Sequence, residues 1–188
     1  ELKYLQGVIL MFELVKEDIR RYYKLSGRNK SKVSLLGIIS AFVGMKMTPV
    51  ILYRMSHFCY KKRIPVLGKI FSLINFIIFG VEIASNCEIG GGFFIPHSQG
   101  IVIGASKIGV NATIYQQVTL GAKNIDIPFN HANRPVLGDN VVIASGAKVL
   151  GGIRIGDNVI VAANAVVMHS CDDNVLLVGI PAIVKKSI

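Results

Sequence analysis

The sequence predicts an all-β solenoid in its C-terminal part, preceded by an α-helical N-terminal region. Two observations lead to this prediction: aliphatic residues recur every six positions beyond residue 80, and the whole excess of positive charge lies before that point. The chain has 188 residues, of which 52% are hydrophobic. This content excludes a disordered protein, and the length is sufficient to bury a core.

The N-terminal region differs from the rest in charge. Residues 1–79 contain 14 Lys and Arg against 4 Asp and Glu, whereas residues 80–188 contain 7 of each kind. Apolar side chains at helical spacing predict a helix over residues 12–24, and they are Phe12, Val15, Ile19 and Tyr22. Residues 1–7 match a Glu-x-x-Tyr-x-Gln-Gly protease site, which fits either a tag remnant over 1–10 or a chance match. We therefore divide the chain into residues 1–10, a helical basic region over 11–79, and a repeat region over 80–188.

Two readings of the basic region remain open. Its uncharged apolar runs, residues 33–45 and 70–81, are shorter than the roughly 18–20 residues that a membrane-spanning helix needs. They are interrupted by the basic cluster at residues 61–63. These segments fit amphipathic helices that pack on the protein or on a neighbouring subunit, or a basic surface that contacts an anionic membrane peripherally. We expect no nucleic-acid partner, because no module that reads nucleic acid accompanies the charge.

The repeat region shows a period of six. One run of inward-facing aliphatic residues is Leu137, Ile143, Val149, Ile155, Val161 and Val167, and upstream the rule continues through Ile83, Ile89, Ile95 and Ile101, then through Val102, Ile108, Ile114 and Leu120. This period fits neither a long helix nor antiparallel hairpins, and it predicts short strands separated by turns around a shared core. Residues 122–135 interrupt the repeats, and such an insertion is either a binding loop or a surface excursion.

Five stretches resemble one family of enzymes. They are 81–83 (VEI), 96–104 (PHSQGIVIG), 118–121 (VTLG), 146–151 (GAKVLG) and 178–182 (VGIPA). They resemble the hexapeptide-repeat acyltransferases, in the group of serine acetyltransferases and their saccharide-acetylating relatives. The resemblance implies a left-handed parallel β-helix, a homotrimer and acetyl-CoA as co-substrate, with no metal.

The resemblance also implies site residues. His97 would be the general base that takes the proton of the acceptor hydroxyl, because imidazole titrates near working pH. Glu82 stands where the family carries an Asp that orients this histidine. Gly121, Ser145 and Ala163 would lie along the pantetheine, with Lys185 or Lys186 near the phosphates. In the inserted loop, His131 and Arg134 are the candidates for contact with the acceptor.

Sequence differences from the serine enzymes determine which acceptor we expect. Pro96 replaces an acid that would meet the ammonium of serine, and Asn133-Arg134-Pro135 replaces an Arg-His-Pro motif. Because a site without its charge partners binds a zwitterion poorly, we expect a saccharide hydroxyl in bacterial polysaccharide synthesis as acceptor. Serine O-acetylation is the alternative. A histidine-held zinc centre and a nonenzymatic scaffold are less favoured.

The location of the protein follows from its cysteines and its charge. The three cysteines are Cys59, Cys87 and Cys171, and they form no Cys-x-x-Cys motif. This usage favours a reducing compartment. We therefore expect a cytoplasmic protein, with a peripheral position at the inner membrane face if the basic region contacts lipid.

Overall fold

The computed structural model describes residues 2–28 and 32–187 as four helices followed by fourteen short strands. Residue 1 of the tag-like segment lies outside the described residues. The helices are α1 Leu2–Leu25, α2 Leu35–Val43, α3 Thr48–Lys61 and α4 Pro65–Phe79. The first strands are β1 Val81–Ile83, β2 Glu88–Ile89, β3 Ile101–Ile103, β4 Lys107–Ile108, β5 Thr113–Ile114, β6 Thr119–Gly121 and β7 Val136–Leu137. The remaining strands are β8 Val142–Ile143, β9 Lys148–Leu150, β10 Arg154–Ile155, β11 Ile160–Val161, β12 Val166–Val167, β13 Val175–Val178 and β14 Ile183–Ser187.

Helix α1 begins ten residues before the helix expected from the apolar spacing. Val15 and Ile19 are buried as that spacing requires, but Phe12 is 44% exposed. The helix packs on α3, so only the stripe that faces α3 and the repeat region is covered. The exposed Phe12 is therefore on the uncovered side.

Helices α3 and α4 form an antiparallel hairpin, and both begin with a proline in their first turn, where no backbone donor is needed. Helix α4 ends at Gly80, whose φ of 63° lies in the left-handed region that glycine adopts without strain. Val81 follows directly and begins β1. Only one residue therefore separates the helices from the first strand.

A buried ion pair joins the helices to the repeat region. The Asp18 carboxylate accepts from Arg54 Nε at 2.9 Å and Nη2 at 3.0 Å, and from the Phe93 backbone N–H at 2.8 Å. Arg54 also donates to the carbonyls of Ile89 and Gly90. Both side chains are at most 1% exposed. Two helices and the first turns of the repeat region therefore meet at one buried cluster of charges.

The strands form three sheets, which the chain visits in rotation. Sheet A has the order β1-β3-β6-β9-β12, sheet B the order β10-β7-β4-β2, and sheet C the order β14-β13-β11-β8-β5. All pairs are parallel except β13 with β14, which are antiparallel. We call one passage through A, B and C a coil. The expected parallel solenoid with an N-terminal helical region is consistent with this topology.

The six-residue rule places most of the core correctly. The run from Leu137 to Val167 is buried throughout, at 2% exposure or less. Val102 is an exception, because it is 38% exposed while Ile101 and Ile103 on either side are buried. In a three-residue strand the two ends face one way and the centre the other. The frame shift between the two upstream runs therefore falls within strand β3, where Ile101 and Ile103 face inward and Val102 faces outward.

The apolar core is continuous from the helices into the coils. One cluster of buried side chains includes Val15 and Tyr53 of the helices, Phe93 at the first coil and Val161 near the end of the chain. Among the described residues no single helix is long and apolar enough to cross a membrane. Helices α2 and α3 satisfy the criterion only as a pair, bent by 103°.

Candidate active site

The outward face of sheet A carries one row of side chains from coil to coil. Parallel registers place these outward residues side by side, in the order Glu82, Val102, Thr119, Lys148 and Val166. Glu82 and Val102 are exposed, while Thr119, Lys148 and Val166 are half-buried. The face is bordered on one side by the turns that arrive from sheet C and on the other by the inserted loop.

His97 lies in the first of the turns from sheet C to sheet A, which we call the C-to-A corner. The same corner in later coils contains Gln117, then Ser145, then Ala163. Backbone hydrogen bonds join successive turns, from Gln117 N to Gln99 O at 3.0 Å and from Asn164 N to Ser145 O at 2.9 Å. Three residues predicted from the sequence, His97, Ser145 and Ala163, therefore lie along one edge.

The His97 imidazole is exposed, and no hydrogen bond or ion pair reaches it from the part of the chain that the structure describes. Its turn is fixed at the end nearest β1, because Gly100 N donates to Gly80 O at 3.0 Å. Gly80 is two residues before Glu82 in the chain. The turn that carries His97 and the strand that carries Glu82 are thus neighbours, although no hydrogen bond joins the two side chains.

A cleft of about 370 Å³ lies on the other side of the sheet A face. Its lining includes Glu82, Thr119, Gly121, Asp126 and Arg134. The parallel strands of sheet A place Glu82 and Thr119 on the same face, and the inserted loop folds over this face and supplies Asp126 and Arg134. The structure therefore unites Glu82, Gly121 and Arg134, which the sequence placed in three different roles.

Arg134 holds the inserted loop against the coils. Its Nε donates to Asp126 Oδ2 at 3.2 Å, its Nη2 to Asp126 O at 2.8 Å and its Nη1 to Gly104 O at 3.1 Å. The guanidinium also stacks over the Phe129 ring at 3.7 Å from the centroid. These contacts use three of the five N–H groups of a guanidinium, so two donors are left for another partner.

His131 occupies a different position from Arg134. It begins the short 3₁₀ helix His131–Asn133, is exposed, and lies with Nδ1 at 2.8 Å from Ser106 Oγ. Its ring meets Phe129 edge-on. It is not part of the cleft lining. Its role in acceptor binding stays a prediction, as does that of Arg134.

The two lysines expected near the CoA phosphates lie at the far end of the coils. Lys185 and Lys186 are on β14, which pairs with β13 at the edge of sheet C, and both are exposed. Residues 179–182 form the turn before β14, where Ala182 N donates to Val166 O of sheet A at 2.8 Å. The C-to-A corner therefore leads from His97 toward the segment that carries the lysines.

Sequence reasoning missed one cation at this corner. Lys148 Nζ donates to Gln117 O at 2.6 Å and to Gly146 O at 2.9 Å, so its ammonium lies beside Ser145. Lys148 belongs to the quoted motif 146–151, and it precedes the buried Val149 in strand β9, so the alternation of a strand turns its side chain outward. In the described residues, no group of three or more His, Cys, Asp or Glu side chains could hold a metal ion.

Comparison with known proteins identifies the family. The family description "Bacterial transferase hexapeptide (six repeats)" matches residues 134–169. A serine acetyltransferase of Staphylococcus xylosus is 37% identical over 173 residues, which are 92% of this chain and 76% of that protein. The structure of serine acetyltransferase from Neisseria gonorrhoeae superposes with a TM-score of 0.81 at 25% identity, over 99% of this chain and 69% of that one.

A further solved serine acetyltransferase, in complex with CoA, has a TM-score of 0.80 at 22% identity and covers 97% of this chain and 72% of its own. It shares the fold of this chain, and that protein binds CoA. The hexapeptide-repeat acyltransferase resemblance is confirmed.

The expected saccharide acceptor in polysaccharide synthesis was wrong. The relatives reported above are named serine acetyltransferases, not saccharide acetyltransferases. The expectation assumed that the site lacks charge partners for a zwitterion, but the cleft is lined by both the Glu82 carboxylate and the Arg134 guanidinium. Long-range pairing of coils and loop creates this combination, which residue-by-residue comparison of motifs does not show. With 37% identity over most of its length to such an enzyme, the chain belongs to the serine acetyltransferase family.

Proposed function

We propose that this protein transfers the acetyl group of acetyl-CoA to the hydroxyl of L-serine. The observation that carries the proposal is the 37% identity, over 92% of the chain, to a protein named serine acetyltransferase. The products are O-acetyl-L-serine and CoA. We infer further that the coils wind left-handed and that the chain acts as a homotrimer, as the hexapeptide-repeat family implies.

In this proposal His97 is the general base. Its imidazole takes the hydroxyl proton as the serine oxygen attacks the thioester carbon, and the resulting imidazolium returns a proton to the departing CoA thiolate. The exposure of His97 and the lack of a protein partner for its ring among the described residues support this role, because the ring is available to a bound acceptor. Glu82 is a positioning residue, whose carboxylate on the adjacent strand orients the imidazole and stabilises the imidazolium.

The charges of the cleft suit an amino acid as acceptor. Two donors of Arg134 remain for the serine carboxylate, and planar guanidinium groups bind carboxylates well. Asp126 already neutralises part of the charge on Arg134, which keeps the guanidinium in place without a substrate.

Acetyl-CoA is proposed to lie along the C-to-A corner. The turns at Gln117, Ser145 and Ala163 present backbone there, with small side chains at Ser145 and Ala163, and Lys148 adds a cation at the turns that carry Gln117 and Ser145. Lys185 and Lys186 near the end of the chain are the predicted phosphate contacts, and Gly121 is predicted to contact the pantetheine from the sheet A face.

The test is formation of O-acetyl-L-serine, detected by mass spectrometry, from acetyl-CoA and L-serine with the full chain. We expect turnover at ordinary enzyme rates, about 1–10³ per second. His97→Asn should lower kcat by about 10²–10⁴-fold because the proton acceptor is removed. The matched control is His169→Asn, since His169 is also exposed but lies outside the cleft and the C-to-A corner.

Two results would contradict the proposal. If calorimetry shows that the protein binds acetyl-CoA but no O-acetylserine forms, the acceptor is not serine. If His97→Asn retains the activity, His97 is not the base. Glu82→Gln separates positioning from substrate binding, because a positioning residue lowers kcat and shifts the pH profile, whereas a contact to the ammonium raises KM for serine.

A further inference from the structure

Helix α4 has one face that the rest of the chain covers and an opposite, apolar face that it does not cover. The covered face carries Gly68 and Asn75: Ser56 Oγ donates to Gly68 O at 3.0 Å, and Asn75 Nδ2 donates to Pro49 O at 2.9 Å. On the opposite side, four aliphatic side chains spaced three or four residues apart form a stripe that is 46–71% exposed, and they are Val66, Ile70, Leu73 and Ile77. We call this stripe the α4 face. An amphipathic helix of a globular protein normally turns polar residues outward, so the α4 face lacks its expected covering.

Positive charge borders the α4 face at its N-terminal end. Arg63 and Lys69 are exposed, and no acidic side chain of the described ranges pairs with either. Both line a cavity of about 380 Å³ between the start of α4 and the first coil, together with Ser85. Lys61, by contrast, is paired with Glu88 at 2.7 Å. Two exposed bases thus border the start of α4, where they can meet anionic lipid headgroups.

The charge of the whole segment decides between occupants. Residues 19–81 contain 12 Lys and Arg and no Asp or Glu. In a twofold contact, a second copy would meet the α4 face with its own residues 19–81, which would bring bases against bases and is unfavourable. An anionic lipid surface supplies the missing negative charge and an apolar layer at once.

We propose that the α4 face lies on the surface of an anionic membrane, with the aliphatic stripe at the level of the acyl chains and Arg63 and Lys69 at the phosphates. The helix has 15 residues and is too short to span a bilayer, so it lies in the interface. Because α4 leads through Gly80 directly into β1, the contact places the first coil, with Glu82 and the His97 turn, at the membrane-proximal end of the protein. This inference is independent of the identity of the acceptor.

The test is flotation of the full chain with vesicles of phosphatidylcholine alone or with about 30 mol% phosphatidylserine. We expect binding to the anionic vesicles only, with loss at about 0.5 M salt. Ile70→Ser with Ile77→Ser should weaken binding at least tenfold, because apolar area that the membrane would bury is removed. Arg63→Gln with Lys69→Gln should weaken it roughly fivefold for each charge removed.

Matched controls keep the test specific. Ile125→Ser with Ile127→Ser makes the same chemical change at the inserted loop, where these side chains are 93% and 89% exposed, and should leave vesicle binding unchanged. Lys107→Gln with Arg154→Gln removes the same charge from sheet B, where both residues are exposed. Circular dichroism melts verify that each variant folds.

Three results would overturn the proposal. They are no binding to anionic vesicles, equal losses in the control variants, and a change in molar mass by light scattering when Ile70 and Ile77 are replaced. The last result would show that a second copy covers the α4 face.

Discussion

The buried ion pair between Asp18 and Arg54 offers the most direct test of how the helices are held to the coils. Asp18→Asn keeps the size of the side chain but removes its charge, which leaves the Arg54 guanidinium buried without a counter-ion. Arg54 is buried and still donates to the carbonyls of Ile89 and Gly90. Because these neutral acceptors do not compensate the charge, the folded state loses most of what the carboxylate contributes.

The expected loss is about 3–5 kcal/mol, the range for removing one partner of a buried pair. Asp18 accepts three hydrogen bonds, two from Arg54 and one from Phe93 N, so the upper half of this range is reasonable. For a chain of this size the corresponding fall in Tm is roughly 6–20 °C. Replacing both charges, as Asp18→Leu with Arg54→Met, should cost less free energy of unfolding than the sum of the losses for Asp18→Leu alone and Arg54→Met alone.

The assay is urea unfolding followed by circular dichroism, at one fixed protein concentration because subunit association adds to stability. Glu13→Gln is the control, since it breaks an exposed pair between Glu13 and Lys16, and we expect little change. A loss below about 1 kcal/mol for Asp18→Asn, or strict additivity in the double variant, would refute the claim that the pair is a buried, coupled unit.

Three further predictions concern other parts of the molecule. Burial lowers the pKa of the His57 imidazole below its ordinary value. The free energy of unfolding should therefore fall as the pH drops below about 6.5, where the unfolded chain binds a proton that the folded chain does not. Denaturant titrations of the wild type and of His57→Gln at several pH values measure this fall. Gly138→Ala should destabilise the protein by about 1–3 kcal/mol, the usual cost of overpacking, because its Cβ would lie 2.8 Å from the backbone of Gly156 in the next coil. The change in Tm measures this loss. Burial raises the pKa of the Cys87 thiol to about 12, so iodoacetamide labelling of the folded protein, mapped by mass spectrometry, should modify the half-buried Cys171 first.

Each of these predictions has its own control. For the pH series, the difference between wild type and His57→Gln should shrink toward low pH, and a constant difference would mean that His57 does not titrate during unfolding. The control for Gly138→Ala is Gly121→Ala. Nothing lies within 4 Å of the Cβ that this substitution adds, so the Tm should not change. For the thiols, equal labelling of Cys87 and Cys171 would show that the first coil opens readily.

The periodic part of the fold could be predicted from the sequence because each coil repeats the same local contact. Ile143 and Val161 are three hexads apart in the chain and are direct partners in sheet C, so a one-dimensional pattern determines their three-dimensional contact. The position of Val102 could not be predicted in this way. One run of hexads ends at Ile101 and the next begins at Val102, and only the alternation within β3 shows that Val102 faces outward.

The site was predictable only where residues share an edge or a motif. His97, Ser145 and Ala163 lie along one corner because they occupy equivalent turns. The meeting of Glu82 and Arg134 depends on how an irregular loop folds back, and that folding rests on the contact of Arg134 with Asp126 within the loop. No period in the sequence encodes such a contact, and for the same reason the burial of Arg54 was not anticipated.

The junction at Gly80 has a consequence for how the protein can be divided. Composition changes abruptly there, from basic to neutral, and a designer of expression fragments would cut at this point. The chain, however, passes from α4 to β1 through this single residue, and Tyr53 of α3 donates to Cys87 O across the boundary at 2.7 Å. A fragment of residues 80–188 would expose the side of the first coil that Tyr53 and Arg54 cover, and the helices alone would leave a buried arginine without its acceptors. The boundary between the two kinds of sequence is therefore an interior surface of one cooperative unit.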